Sequence, residues 1–178
     1  MLVGSCFEYE EKLKKTRNEC HAREIYEQVN AEDAFLEFAS RYVFCHDELV
    51  VRNALWVLTK AGKDELSPLH DLLNPLVELA MQTENSSVRR MLLCVVERLN
   101  MTEDDLRTDF LDFCFDQRMN LEAPPAIQAV CMKLAYRMCC FYPELTDELT
   151  RTLESMETDF YKPAVRCVRN RVLNGTLK

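Results

Sequence analysis

The residues best equipped for chemistry in this chain are its nine cysteines and three histidines. Two Cys-His steps, Cys20-His21 and Cys45-His46, would offer four soft ligands to a zinc ion if two helices brought them together. Neighbouring residues on a helix point about 100° apart, so each step chelates poorly. The sequence holds no C-x-x-C to complete a site. Cys94, Cys114, Cys131 and Cys167 fall inside apolar helical patterns, where a thiol behaves as a small hydrophobe in a reducing compartment. An odd count and the adjacent pair Cys139-Cys140 also fit poorly with a disulfide framework. The expectation is free thiols, no metal and no cofactor.

Other chemistry is no better supported. There is no G-x-S-x-G, Walker loop, dinucleotide fingerprint or H-E-x-x-H. His21, His46 and His70 are scattered, and three glycines leave little for a phosphate-cradling loop. No catalytic residue is assigned, and a non-enzymatic role is favoured. The opening "MLVGSC" has the look of a lipoprotein cleavage box, but a secretory signal needs a basic region and an apolar run ahead of it. No apolar run approaches the roughly 20 residues that span a bilayer. The reading is a cytoplasmic chain with no membrane partner.

The elements that must position any site are helices. Glycine scarcity, with abundant Leu, Glu, Ala, Arg and Met, favours helix over sheet. A chain of 178 residues suits one domain with a real core. Val51-Arg52, Val88-Arg89, Ile127-Gln128 and Val165-Arg166 recur at separations of 37, 39 and 38 residues. Each opens an apolar i, i+3, i+4, i+7 pattern, for example Val88, Met91, Leu92 and Val95, except that the fourth carries Arg169 at the third place. Second helices are expected over 50–61, 86–99, 125–140 and 162–173. First helices are expected over 31–43, 66–84, 102–119 and 143–159. Asn30 is read as an N-cap, Ser67 as a cap ahead of Pro68, and Thr102 with Asp105 as a capping box. Pro75 should kink or split the 66–84 segment.

A helix-turn-helix unit repeated at this period resembles HEAT repeats of the armadillo-type α-solenoids. The Val-Arg step and the proline within one first helix carry the resemblance, over residues 31–174. It implies an all-α superhelix of about four stacked helix pairs. An N-terminal helical cap would occupy residues 1–30, ahead of one compact repeat domain over 31–178.

Charge is sorted between the two kinds of helix. First helices carry 18 acidic and 4 basic residues; second helices carry 11 basic and 1 acidic. In HEAT-like solenoids the second helices line the concave side, so the resemblance implies a basic groove, which would raise on-rates for anionic partners. Arg52, Trp56, Lys60, Arg89, Arg90, Leu93, Met132, Lys133, Arg166 and Asn170 are the predicted lining, with Trp56, Leu93 and Met132 as an apolar stripe. Such a groove suits an acidic or amphipathic protein segment, with Trp56 as the anchor. A structural role for the Val-Arg arginines, bonding to carbonyls at neighbouring helix ends, competes with this reading. The alternative function is a DNA-binding repair enzyme resembling the HEAT-like alkylpurine DNA glycosylases. A pI near 5.0 makes nucleic acid the less favoured partner.

Overall fold

Two side-chain amides and carboxylates set the frame of the first half of the chain. Asp47 Oδ1 accepts from the backbone N–H of Leu49 at 3.0 Å, and Asn85 Oδ1 accepts from Ser87 and Val88 at 2.9 and 3.1 Å. These caps satisfy donors that a helix start leaves orphaned. They open α4 (Glu48–Leu58) and α7 (Ser86–Arg98), the helices that carry the first two Val-Arg steps. The computed structural model describes residues 8–177, and the whole of that length without strand. The "MLVGSC" start lies outside it.

The described chain begins with a helix pair, α1 (Glu8–Lys15) and α2 (Glu19–Ala31). The expected cap is therefore itself a helix-turn-helix unit. Asn30 does not start the next helix, as the sequence reading had it, but lies in the last turn of α2. Asp33 adopts φ 49, and the Ala34 N–H reaches the Val29 carbonyl at 3.0 Å while the Asp33 N–H reaches Asn30 at 3.1 Å. That bond pair is a Schellman closure, which uses a left-handed residue just beyond the helix. α3 (Phe35–Tyr42) follows without a side-chain cap.

The 66–84 segment is split, as Pro75 demanded. After the short α5 (Lys63–Leu66), a 3₁₀ run over Ser67–Leu72 leads into α6 (Leu73–Gln82). Pro75 then stands in the first turn of α6, where its missing N–H costs nothing. Ser67 is not a cap; its hydroxyl donates back to the Asp64 carbonyl at 2.8 Å. Thr102 and Asp105 do form the capping box, Thr102 N–H to Asp105 Oδ2 at 2.8 Å, but around a 3₁₀ turn over Glu103–Asp105. The remaining helices are α8 (Thr108–Met119), α9 (Pro125–Cys139), α10 (Pro143–Glu154) and α11 (Pro163–Leu173).

The helices form two compact units, divided between Asn100 and Met101 rather than at residue 30. In the first unit α4 is the hub, packing against α1, α2, α3 and α7. Leu55, Leu58, Leu92 and Val95 are among its fully buried side chains. In the second unit α9 plays that part, packed by α8, α10 and α11 around Phe110, Cys114, Leu134 and Leu153. Leucine-sized side chains buried on this scale each contribute roughly 1.5–3 kcal/mol.

Candidate functional site

A helix presents to solvent the side that its neighbours leave uncovered, and its cap fixes which residues those are. Counted from the N-cap, Asp47 for α4 and Asn85 for α7, the fifth, ninth and thirteenth residues share one side. On α4 these are Arg52 and Trp56, with Lys60 just past its end; on α7 they are Arg90, Cys94 and Arg98. All six are exposed or half-buried. On α9, capped by Pro124, the same count gives Ala129, Lys133 and Arg137, each half-buried. On α11, capped by Lys162, it gives Cys167 and Arg171, both exposed.

The predicted apolar stripe does not survive this geometry. Leu93 is fully buried in the first unit, as is Leu55, and Met132 is fully buried in the second. The cause is a slip of one residue. Val51 is the fourth residue from its cap, whereas Val88, Ile127 and Val165 are the third from theirs. Aligning the Val-Arg steps thus rotates α4 by about 100° relative to the other second helices. Cys94 and Lys133, not Leu93 and Met132, are the counterparts of Trp56. Counting from caps in the sequence would have found them, along with Arg137 and Arg171.

The arginines divide into two jobs. Arg89 Nε donates to the Ala80 carbonyl at 3.0 Å, and its Nη2 reaches the Met81 and Thr83 carbonyls, closing the C-terminal end of α6. Gln128 does the same for α8 through Asn120. In α11 the task moves one turn along: Arg169 Nε donates to Leu153 at 2.6 Å at the end of α10. Arg98 Nη1 bonds the Thr59 and Ala61 carbonyls at 2.7 and 2.8 Å, beyond the end of α4. A cation is favoured at these carbonyl ends by both hydrogen bonding and the helix dipole. Of the Val-Arg arginines, Arg89 takes the expected carbonyl role, whereas Arg98 and Arg169, which share it, stand outside those steps. Part of the sorted charge is explained by it.

Arg52, Arg90 and Arg166 are exposed, as is Asn170. Among the described residues, Arg52 reaches its neighbour, Asn53 Oδ1, at 3.3 and 3.4 Å. Trp56 is half-buried, with Lys60 Nζ 5.8 Å from its ring centroid. Lys60 also pairs with Glu19 at 2.6 Å, tying α4 to the start of α2. The Lys60 ammonium, with help from the Trp56 indole, holds the Glu19 carboxyl below the usual carboxylate range. One rim of the Trp56 ring is thus occupied within the chain.

The profile of the HEAT repeat domain family matches residues 9–176. The chain belongs to that family. No curated protein and no solved structure matches it. HEAT repeat membership accounts for the N-terminal pair as well, since the match begins at α1 rather than at residue 31. In HEAT repeat terms α1 and α2, α3 and α4, and α6 and α7 are the pairs of the first unit; α8 and α9, and α10 and α11, are those of the second. Among the described residues no helix is long and apolar enough to cross a membrane. Nor do three His, Cys, Asp or Glu side chains among them converge as metal ligands would.

Proposed function

We propose that this HEAT repeat chain is a protein-interaction module that takes an acidic segment on the exposed side of its second helices. The observation that carries the reading is the cap-referenced column itself. Arg52 and Arg90 occupy it in the first unit, with Lys60 at its end, and the segment is proposed to dock on α4 and α7. Arginines fixed on helix ends explain part of the charge sorting, and Arg52 and Arg90 stand exposed on the other side of their helices. With Leu93 and Met132 in the core, recognition rests on charge, with Trp56 as the partly exposed ring. A rim of charges mainly governs association rate and its salt dependence.

The test is fluorescence anisotropy with a labelled peptide of alternating Glu and Leu, and with a DNA duplex as competitor class. The peptide should bind, and raising salt from 50 to 300 mM should weaken it, since screening lengths shorten over that range. Arg52→Glu with Arg90→Glu should cut affinity at least tenfold. Trp56→Ala should cost roughly 2 kcal/mol if it anchors the segment. Peptide binding unchanged by the charge reversal would sink the proposal, and tighter binding of the duplex would transfer the surface to nucleic acid.

A further inference from the structure

We infer that the turn edge of the second unit, around Met119, Leu121 and Phe160, is a separate docking surface for a basic protein segment bearing apolar side chains. Phe160 is 67% exposed, Leu121 53% and Met119 37%. A single exposed apolar residue is ordinary, but a cluster of large ones marks a contact site. These three come from two turns, the one joining α8 to α9 and the one joining α10 to α11. The Tyr161 hydroxyl donates to the Met119 carbonyl at 3.4 Å and holds the two turns side by side.

Both turns are built rather than loose. Gln128 donates to the Asn120 carbonyl, and the Glu122 N–H is bonded by Asn120 Oδ1 at 3.0 Å. Across from them, the Phe160 N–H reaches the Glu157 carbonyl at 3.2 Å in a 3₁₀ turn. A patch so fixed needs little ordering when a partner arrives, which favours binding. In the first unit Phe44, 38% exposed, stands in the equivalent turn between α3 and α4, so an exposed aromatic there is not peculiar to one repeat.

The surrounding charge selects the occupant. Glu122, Glu157 and Asp159 are exposed on these turns, against Lys162 alone on the basic side. Anionic lipid and nucleic acid would be repelled. A second copy of this chain is disfavoured as well, because a two-fold contact would set the same carboxylates against each other. A segment combining leucine- or phenylalanine-sized side chains with Lys or Arg satisfies both the patch and its rim. This is opposite in charge to the segment proposed for the second helices, so the two surfaces are separable.

The probe is a fluorescein-labelled 14-residue peptide of Lys, Leu and Phe, with a twin in which every Lys is Glu. Anisotropy should show saturable binding of the basic peptide at this edge, whereas any binding of the twin belongs to the second helices and should be lost in Arg52→Glu with Arg90→Glu. The Leu121→Ser, Phe160→Ser double variant, checked for helicity by circular dichroism, should lose at least tenfold in affinity. Glu157→Lys with Asp159→Lys should lose as much at low salt. Arg52→Glu with Arg90→Glu should leave binding unchanged. The inference is overturned by absence of binding of the basic peptide, by an equal loss of the twin's binding in the Leu121→Ser, Phe160→Ser variant, or by indifference of the basic peptide to the Leu121 and Phe160 changes. Sedimentation showing a dimer that the same double variant dissolves would also overturn it, because the occupant would then be a second copy.

Discussion

The guanidinium carbon of Arg118 lies 3.9 Å from the centroid of the Phe115 ring, and the side chain is almost wholly buried in the second unit. Its Nε and Nη1 are buried without a hydrogen-bond partner. Burial is the main influence lowering the pKa of this arginine, opposed by the nearby Cys139, Tyr161 and Cys114. A cation over an aromatic face contributes about 2 kcal/mol when desolvated. Leaving two N–H donors of a buried guanidinium unbonded costs about 1–3 kcal/mol each, and Glu148 offsets it only at a distance. The cost wins.

Arg118→Met should therefore raise stability, by about 1–3 kcal/mol, because methionine fills similar space without the charge. Urea denaturation measures it through the midpoint at constant slope. A loss of stability of similar size would mean that the guanidinium has a partner in solution, such as a trapped water.

Arg89 should behave oppositely. It bonds three carbonyls at the end of α6, and hydrogen bonds from charged groups contribute about 1.5–3 kcal/mol. Arg89→Ala should destabilise the fold by about that much, whereas Arg89→Gln should retain part of it, as Gln128 shows for α8. Arg52→Ala, which removes a contact with the adjacent Asn53, should stay within about 0.5 kcal/mol of the parent. Equal effects at the two arginines would contradict the division of labour between them.

Asn53 closes the end of a different helix. Fully buried in α4, its Nδ2 donates to the Leu13 carbonyl at 2.7 Å and to Thr16 at 3.3 Å. It therefore fastens α1 to the hub of the first unit. Asn53→Leu would remove both bonds, leaving the Leu13 carbonyl to the Thr16 N–H and the Thr16 carbonyl to Arg17, at about 0.5–1.5 kcal/mol for each bond lost. The expected readout is faster proteolysis confined to the N-terminal pair, seen as early loss of residues before Asp33. Cleavage spread evenly through the chain would mean that α1 is held elsewhere.

The repeat was legible because its signals are local and redundant: apolar spacing, Pro143 and Pro163 at helix starts, and the capping box at Thr102. The α2 end was not, because Asp33 in a left-handed conformation is rare for a residue other than Gly or Asn, and nothing in "VNAEDAF" announces it. The surface column was half legible. Basic residues were assigned correctly to second helices, but a one-residue difference in cap spacing sent Leu93 and Met132 to the wrong side. Which arginines reach carbonyls depends on contacts between helices, as does the burial of Arg118, and periodicity within one helix cannot carry that.

The cysteines give a last test, in which burial and titration can be read together. Cys114, Cys131 and Cys139 are buried, while Cys20, Cys140 and Cys167 are exposed. At pH 8 a thiol reagent should label the exposed three rapidly and the buried three only as the chain opens. Burial pushes the Cys139 thiol up to about 11, despite the opposing pull of Arg118. Burial also raises Cys114, with its neighbour Cys131 adding to the effect. An unfolded thiol ionises near pH 8.5. Above that pH the unfolded chain releases a proton that folded Cys139 retains, so stability is complete below about pH 8.5 and falls until about pH 11. The rise from about 8.5 to about 11 corresponds to about 3–4 kcal/mol at most. Tyr26, Tyr136 and Tyr142 are raised too and tilt the curve the same way, so the parent slope alone does not isolate the thiol. Cys139→Ala does: its urea midpoint should start lower at pH 7 but decline less steeply between pH 9 and 10.5. Parallel curves for the two proteins would show that Cys139 ionises as it does in the unfolded chain, and that the core around Arg118 admits water.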